Sequence, residues 1–318
     1  MNSPKHILLI DQLKKLVIKK DSSLMLALTM KQHGMETWLL FEDDFYWQNG
    51  NDPLSMNLCS FDGNFEEDGC HIENFTVNAP ERVRFDSGDV VHMRIDPPFD
   101  ARYLRYLWML RALKTRGIKV INDPDGILLH NEKLYAYEQT QSLPTFIGAH
   151  ETEFEWFVKK LEDDGYEHII LKPLDLYQGI GVEKVNTGIA IDAFSKKVHE
   201  LRGPVIAQPY CSKVEDGEIR SIFWDGVELG NILKVPPKGE YLSNIARGAS
   251  YNAVKLTKKQ KSMCEKICKN LIRYGVSLVA FDILDEYISE VNITCPGLLV
   301  EVSSATGDNL AKRIIELL

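Results

Sequence analysis

The chain of 318 residues is 44% hydrophobic and 26% charged, ordinary values for a globular protein with a sizeable core, and its length fits about two to three domains. Its 37 basic and 46 acidic residues leave a net charge of −9, a surface that repels phosphate backbones and argues against general nucleic-acid binding. No run approaches the roughly 18 apolar residues of a membrane helix, and Ile7 to Ile10 is too short for a signal-peptide core, so a soluble, cytoplasmic protein without a membrane partner is expected.

From the N-terminus, His6 to Ile10 reads as a buried strand and Ser22 to His33 as a helix stopped by Gly34. Glu36 to Phe41 is the next strand. Residues 45–85, rich in Asn, Asp, Gly and aromatics without a clear period, read as loops and short antiparallel strands. A strand at Asp89 to Arg94, a helix at Tyr103 to Arg116 and a strand at Ile118 to Ile121 complete an alternating pattern that implies a largely parallel, Rossmann-like sheet over residues 1–123. Residues 124–203 read as a small α+β module. It has helices at Asn131 to Gln139, Glu151 to Asp164 (with Thr152 as cap) and Ile191 to Leu201, a short strand opening at Leu143, and strands at His168 to Lys172 and Val182 to Val185. Val205 to Pro209 is a strand, and residues 204–318 add strands at Glu218–Trp224, Val227–Val235, Leu278–Leu284, Ile288–Ile293 and Leu298–Val302. Helices at Lys258–Tyr274 and Asn309–Leu318 pack on them. The six cysteines form no disulfide framework. Cys264 and Cys268 share a helix face but lack a second ligand pair with zinc spacing.

Three constellations bear chemistry. Asp282 and Glu290 should face each other across two antiparallel strands, with Asn292 on the face of Glu290, a hard-oxygen set suited to Mg²⁺ and phosphates. Lys133 and Lys172, the latter beside the loop containing Gly179 and Gly181, are placed to meet a polyphosphate, although the loop lacks the GK[ST] of a P-loop. Arg220 follows the turn Asp216-Gly217 on the same strand face as Glu218 and could neutralise a transferring phosphoryl group. Taken singly, each has an ordinary counterpart: a polar sheet face, a solvated lysine, a cross-strand salt bridge.

Collinear order changes the weighing. The segments Ile18-Lys19-Lys20-Asp21-Ser22-Ser23, Met93-Arg94-Ile95-Asp96-Pro97-Pro98-Phe99-Asp100, Asn131-Glu132-Lys133 and Leu171-Lys172-Pro173-Leu174-Asp175 are followed by Asp216-Gly217-Glu218-Ile219-Arg220, Pro236-Pro237-Lys238-Gly239-Glu240, Asn244, Asp282 and Glu290-Val291-Asn292. This series resembles the ATP-grasp ligases, and within them the prokaryotic glutathione synthetase family, over nearly the whole chain. The resemblance implies an ATP-grasp fold (α/β with an α+β lid) behind an N-terminal Rossmann-like domain, with ATP between lid and C-terminal domain. Lys133, Lys172, Gly179 and Gly181 would hold ATP phosphates, Gln208, Pro209, Tyr210 and Cys211 would flank adenine, and Glu218 would touch the ribose. Asp282, Glu290 and Asn292 would hold Mg²⁺, for which Mn²⁺ could substitute, and Arg220 would act in catalysis. Lys20, Asp21, Ser22, Arg94, Asp96, Lys234 and Asn244 would contact the two small-molecule substrates. The implied reaction joins a carboxylate to an amine through an acyl phosphate, in a homotetramer or homodimer.

The departures concern substrate positions. The loop reads Leu176-Tyr177-Gln178-Gly179-Ile180-Gly181, with fewer glycines than is usual; Leu242 and Lys234 stand where arginines are common; Cys295-Pro296-Gly297 replaces Ser-Pro-Thr; and Val300 replaces an arginine before Glu301. All were expected near the acyl and amine substrates, where arginine loss removes a bidentate carboxylate clamp. Glutathione synthesis therefore competes with two other readings: a paralogue joining a different carboxylate and amine, and a degenerate ATP-binding regulatory module.

Overall fold

The computed structural model describes residues 3–50 and 53–318. Strand His6–Ile10 lies between Thr37–Phe41 and Val90–Arg94, with Lys119–Ile121 on the outer edge, and all three pairings are parallel. All five residues of His6–Ile10 are buried, as expected of a strand covered on both faces. Asp21 caps the following helix, Ser22–Gln32, by accepting from the backbone N–H groups of Ser23 (2.9 Å) and Leu24 (2.8 Å). The region 45–85 contributes two antiparallel pairs, Ser55–Leu58 with Glu81–Arg84 and Phe61–Phe65 with Ile72–Val77.

A short helix at Pro124–Leu129, not foreseen from sequence, precedes Glu132–Tyr137. The small module is an antiparallel sheet in the order Glu183–Asn186, His168–Pro173, Val205–Pro209, Phe146–Gly148, backed by helices Glu151–Asp163 and Ala190–Leu201. Val205–Pro209 pairs with two strands of this sheet, so the sheet continues past residue 203, the expected end of the lid. The helix Glu151–Asp163 is capped by the His150 side chain rather than by Thr152, which lies inside the first turn.

The last third is a five-stranded antiparallel sheet ordered Ser250–Ala253, Val227–Val235, Glu218–Trp224, Leu278–Leu284, Tyr287–Asn292. Helix Lys258–Ile272 carries a full capping box between Thr257 and Gln260, and its buried Met263, Cys264, Ile267, Cys268 and Leu271 pack on the sheet. Cys264 and Cys268 are thus core residues. The segment expected as a strand at Leu298–Val302 is the helix Leu299–Thr306, with Val300 fully buried in the core shared by the N-terminal and last sheets. Val300, expected near the substrates, therefore packs as a core residue. Asn122 ties those sheets together: its Nδ2 donates to the carbonyls of Leu278 (2.7 Å) and Ile293 (2.8 Å). Among the described residues no helix is long and apolar enough to cross a membrane.

Candidate active site

The three sheets converge on a cleft of about 650 Å³. Antiparallel register places Arg220 opposite Asp282 and Asp282 opposite Glu290, a row of charges across three adjacent strands. The Arg220 guanidinium grips Asp282 in two parallel bonds, Nε to Oδ1 at 3.0 Å and Nη2 to Oδ2 at 2.8 Å. Lys234 Nζ reaches Asp282 Oδ1 (2.7 Å) and Glu218 Oε2 (3.0 Å), following the direct pairing of Lys234 with Glu218 in the ladder. Asn292 donates from Nδ2 to Asp282 Oδ2 (3.2 Å), so its amide oxygen takes no part in that pair.

These contacts set the charges. Burial alone would raise the Asp282 pKa, but Arg220 and Lys234 beside it bring it down to about 2. Glu290 goes the other way, raised by burial and by neighbouring Asp282 and Glu132 against the pull of Lys133, whose Nζ stands 3.5 Å away. Two carboxylates and an amide oxygen on adjoining strands form a donor set that fits a hard divalent cation keeping several waters.

Opposite this row, the Asn131-Glu132-Lys133 segment holds three parts of the cleft. Asn131 caps its own helix and donates from Nδ2 to the Leu174 carbonyl (3.2 Å). Glu132 Oε1 accepts from the backbone N–H groups of Ile293 (2.6 Å) and Thr294 (2.8 Å), fixing the chain just beyond the acidic strand. Lys133 Nζ donates to the Leu176 carbonyl. Lys172 lies 5.0 Å over the Tyr137 ring, and burial lowers its pKa to about 8 despite the attraction of Glu290.

The loop after Pro173 is held from several sides. The Phe99 N–H donates to the Asp175 carbonyl (3.2 Å), Asn244 Nδ2 to the Gln178 carbonyl (2.9 Å) and Lys197 Nζ to the Gly181 carbonyl (2.9 Å). Gly179 has φ +73°, a left-handed conformation that favours glycine, and a Cβ there would stand 3.3 Å from the Leu242 side chain. Along Val205–Pro209 and just beyond it, Gln208 donates to Thr145 Oγ1 (2.8 Å), and Lys184 covers the Tyr210 ring at 3.4 Å.

The cleft wall thus gathers Arg220, Lys133, Lys172, Gly179, Gln208, Pro209, Tyr210, Cys211, Glu218, Asp282, Glu290 and Asn292, together with Lys20, Asp21, Ser22, Arg94, Asp96, Lys234 and Asn244. Gly181 is the exception: it turns the loop back against Pro173, off the wall. Several side chains are already engaged within the protein. Lys234 ties Glu218 to Asp282, while Glu218 also accepts from Ser289 Oγ (2.7 Å). Asp21 is a helix cap, and Ser22 Oγ accepts from the Leu299 N–H (3.0 Å). Of the departures from the family pattern, Leu242, Cys295 and Gly297 do line the cleft. Sequence reasoning missed Glu301 and the cross-link made by Glu132. The first lay in a segment read as a strand, and the second announces itself only through tertiary contact.

A cleft between an antiparallel lid and an antiparallel sheet, the sheet carrying Arg220, Asp282 and Glu290 and facing Lys133 and Lys172, is the arrangement of an ATP-grasp ligase. Its fold recurs in the crystal structure of D-cycloserine synthetase DcsG (TM-score 0.66, 16% identity, 98% of this chain and 99% of that one) and in D-alanyl-alanine synthetase A from Vibrio cholerae (TM-score 0.56, 15% identity, 99% and 98%). The prokaryotic glutathione synthetase N-terminal domain matches residues 5–127 and the ATP-grasp domain of the same family matches residues 132–307. The chain belongs to the prokaryotic glutathione synthetase family. Relatives include the glutathione synthetases of Parasynechococcus marenigrum (29% identical over 317 residues, 99% of this chain and 98% of the relative) and Agrobacterium fabrum (31% over 248 residues, 76% and 75%). It is an ATP-dependent ligase acting on small-molecule substrates, with a requirement for a divalent metal.

Proposed function

We propose that the protein is a glutathione synthetase, joining γ-glutamylcysteine to glycine with conversion of ATP to ADP and phosphate. The observation that carries this reading is the Arg220–Asp282–Glu290 row facing Lys133 and Lys172, inside a chain matched nearly end to end by glutathione synthetases. In this reading adenine lies along Gln208 to Cys211, with the phosphates between Lys133 and Lys172 beneath the loop at Gly179. Asp282, Glu290 and Asn292 would hold Mg²⁺, which when bound neutralises phosphate charge and orients the γ-phosphoryl group.

An oxygen of the donor carboxylate attacks the γ-phosphorus. The bond to the β,γ-bridging oxygen breaks, and ADP departs. Arg220, pre-set by its bidentate grip on Asp282, stabilises charge on the transferring group. The neutral glycine nitrogen then attacks the acyl carbon, the C–O bond breaks, and phosphate leaves with the oxygen that came from the donor, while the nitrogen gives up one proton to the departing phosphate. Water would hydrolyse the acyl phosphate, so the clamp on residues 174–182 has a chemical purpose. Lys20, Asp21, Ser22, Arg94, Asp96 and Asn244 form the substrate wall, and Lys234 serves it by anchoring Asp282 and Glu218. A homo-oligomer in the cytoplasm, with an N-terminal domain of residues 1–123, a lid from 124 and a C-terminal domain, completes the proposal.

Leu242, Cys295 and Gly297 on the cleft wall favour a second reading, a paralogue with a different carboxylate–amine pair. The two separate in one assay: purified protein with Mg²⁺-ATP, γ-glutamylcysteine and glycine, followed for ADP and for product mass. Glutathione in step with ADP is the expected result. ADP formed only with other pairs identifies the paralogue, and ATP binding without ADP from any pair identifies a degenerate module.

A further inference from the structure

A second, much smaller cavity shares Arg94 with the cleft and lies at the seam between the N-terminal sheet and the last sheet. Its volume is about 10 Å³, room for about one water-sized species. Both sheets build its wall. His92 and Ile121 are direct partners in the N-terminal sheet, and Trp224 and Leu278 are direct partners in the last one. Asn122, which cross-links the two sheets, completes the junction.

The polar groups of this wall are donors that lack acceptors. A buried N–H without an acceptor is costly, and few persist in native proteins. Trp224 is 2% exposed, and its Nε1 has no hydrogen-bond partner among the described residues. Arg94 is 5% exposed; its Nε donates to Ser23 Oγ (3.0 Å), but its Nη1 has no partner either. His92 is buried and uses Nε2 in a 3.0 Å hydrogen bond with His6 Nδ1, while its own Nδ1 makes no hydrogen bond among the described residues. Burial, then the charges of His6, Arg94 and Lys119, hold the His92 pKa well below its ordinary value, so the ring is neutral. When His6 donates across the pair, neutral His92 must carry its proton on Nδ1. The one side-chain oxygen in the wall is already engaged: Asn122 Oδ1 accepts from the N–H groups of Ser277 (3.0 Å) and Leu278 (2.9 Å).

We infer that this cavity is a site for a single halide ion, chloride or bromide, held by the Trp224 indole N–H, the Arg94 guanidinium and the His92 imidazole. The charge and the donor set decide against water. A water molecule brings two protons that need acceptors, whereas the side chains here offer N–H groups and a positive charge. A polyatomic anion such as sulfate is too large for the volume. The ion would fasten the two sheets where Asn122 joins them and would steady Arg94 from a cavity other than the cleft. The inference does not depend on which substrates the cleft takes.

The test uses the full chain with ¹⁵N-labelled tryptophan. Its five tryptophans give five indole N–H signals, and the one missing from Trp224→Phe belongs to Trp224. Sodium chloride or bromide replaces sodium gluconate at fixed ionic strength, which holds screening constant. The Trp224 signal should move and saturate while the other four stay, and sodium sulfate should not reproduce the shift. Above half-saturation the melting temperature should climb by about 2 °C per tenfold in halide for a chain of this length, and Trp224→Phe should lose that dependence. Bromide-soaked wild-type crystals give a reading that needs no variant: an anomalous peak within hydrogen-bond distance of Trp224 Nε1 is expected. A Trp224 signal indifferent to both halides overturns the inference and leaves water as the occupant. So does a folded Trp224→Phe protein that keeps the full halide dependence, or bromide crystals without the peak. A peak with no effect on the signal or on melting marks an adventitious ion only and overturns it as well.

Discussion

Lys172 offers a quantitative handle on the phosphate site. Burial holds its ammonium at about 8 instead of the ordinary 10.5, so the ligand-free site carries a lysine that is partly neutral at mildly alkaline pH. A bound triphosphate supplies the missing counter-charge and returns the pKa toward or above its ordinary value, so nucleotide binding must take up protons. If binding restores the ordinary 10.5 from the free-state value of about 8, uptake is about 0.1 proton at pH 7, about 0.5 at pH 8 and about 0.9 at pH 9. Affinity should accordingly be flat below pH 7 and weaken by up to about tenfold per unit above pH 8. The sign for folding is opposite. A lysine whose folded pKa is depressed binds fewer protons folded than unfolded, so the ligand-free protein gains stability as pH rises from about 8 toward 10.5. Calorimetric titration of Mg²⁺-ATP in buffers of different ionisation enthalpy measures the uptake directly, and Lys172→Met should abolish it while weakening binding. Uptake near zero at pH 8 and 9, or full uptake surviving in Lys172→Met, would refute the argument.

Four further outcomes follow from the site. Glu290→Gln should lower turnover at least about 100-fold with little change in melting temperature, because among the described residues its one ion pair is with Lys133 at 3.5 Å. Asp282→Asn should lose turnover and also roughly 3 kcal/mol of stability, since Arg220 and Lys234 would be left buried without their shared partner; equal melting of the two variants would contradict the assigned network. Gly179→Ala, at φ +73° and facing Leu242, should cost about 1–2 kcal/mol of local strain and raise the KM for ATP about tenfold, and an unchanged KM would remove the loop from nucleotide binding. Leu242→Arg restores the guanidinium common in the family and should raise kcat/KM for γ-glutamylcysteine several-fold; no gain would mean that the leucine is not the source of any lost recognition.

Much of the C-terminal sheet was legible because its strands are bounded by clear signals. Glu218–Trp224 and Val227–Val235 flank the turn Asp225-Gly226, and Leu278–Leu284 is a continuous apolar run broken only by Asp282. Once those strands were antiparallel neighbours, strand alternation was enough to bring Asp282 opposite Glu290. Leu298–Val302 failed for a physical reason: a short apolar run has the same composition in a buried helix as in a buried strand, and here its helix packs into a core whose other half comes from the N-terminal sheet. That error hid Glu301, which lines the cleft from the first turn of this helix. Lys234 lines the cleft as its family position implies, but its ion pairs with Glu218 and Asp282 join three strands, a network that sequence spacing alone does not reveal. Val300 shows the converse, a departure from the family pattern that turns out to be a core residue.

The acyl-phosphate ligation itself is tested most directly with oxygen-18. γ-Glutamylcysteine labelled in its cysteinyl carboxylate is incubated with Mg²⁺-ATP, glycine and the protein, and both products are read by mass. The account predicts glutathione and ADP in equal amounts, with one heavy oxygen carried from each labelled carboxylate into inorganic phosphate. Unlabelled phosphate, or ADP released without glutathione, would contradict it.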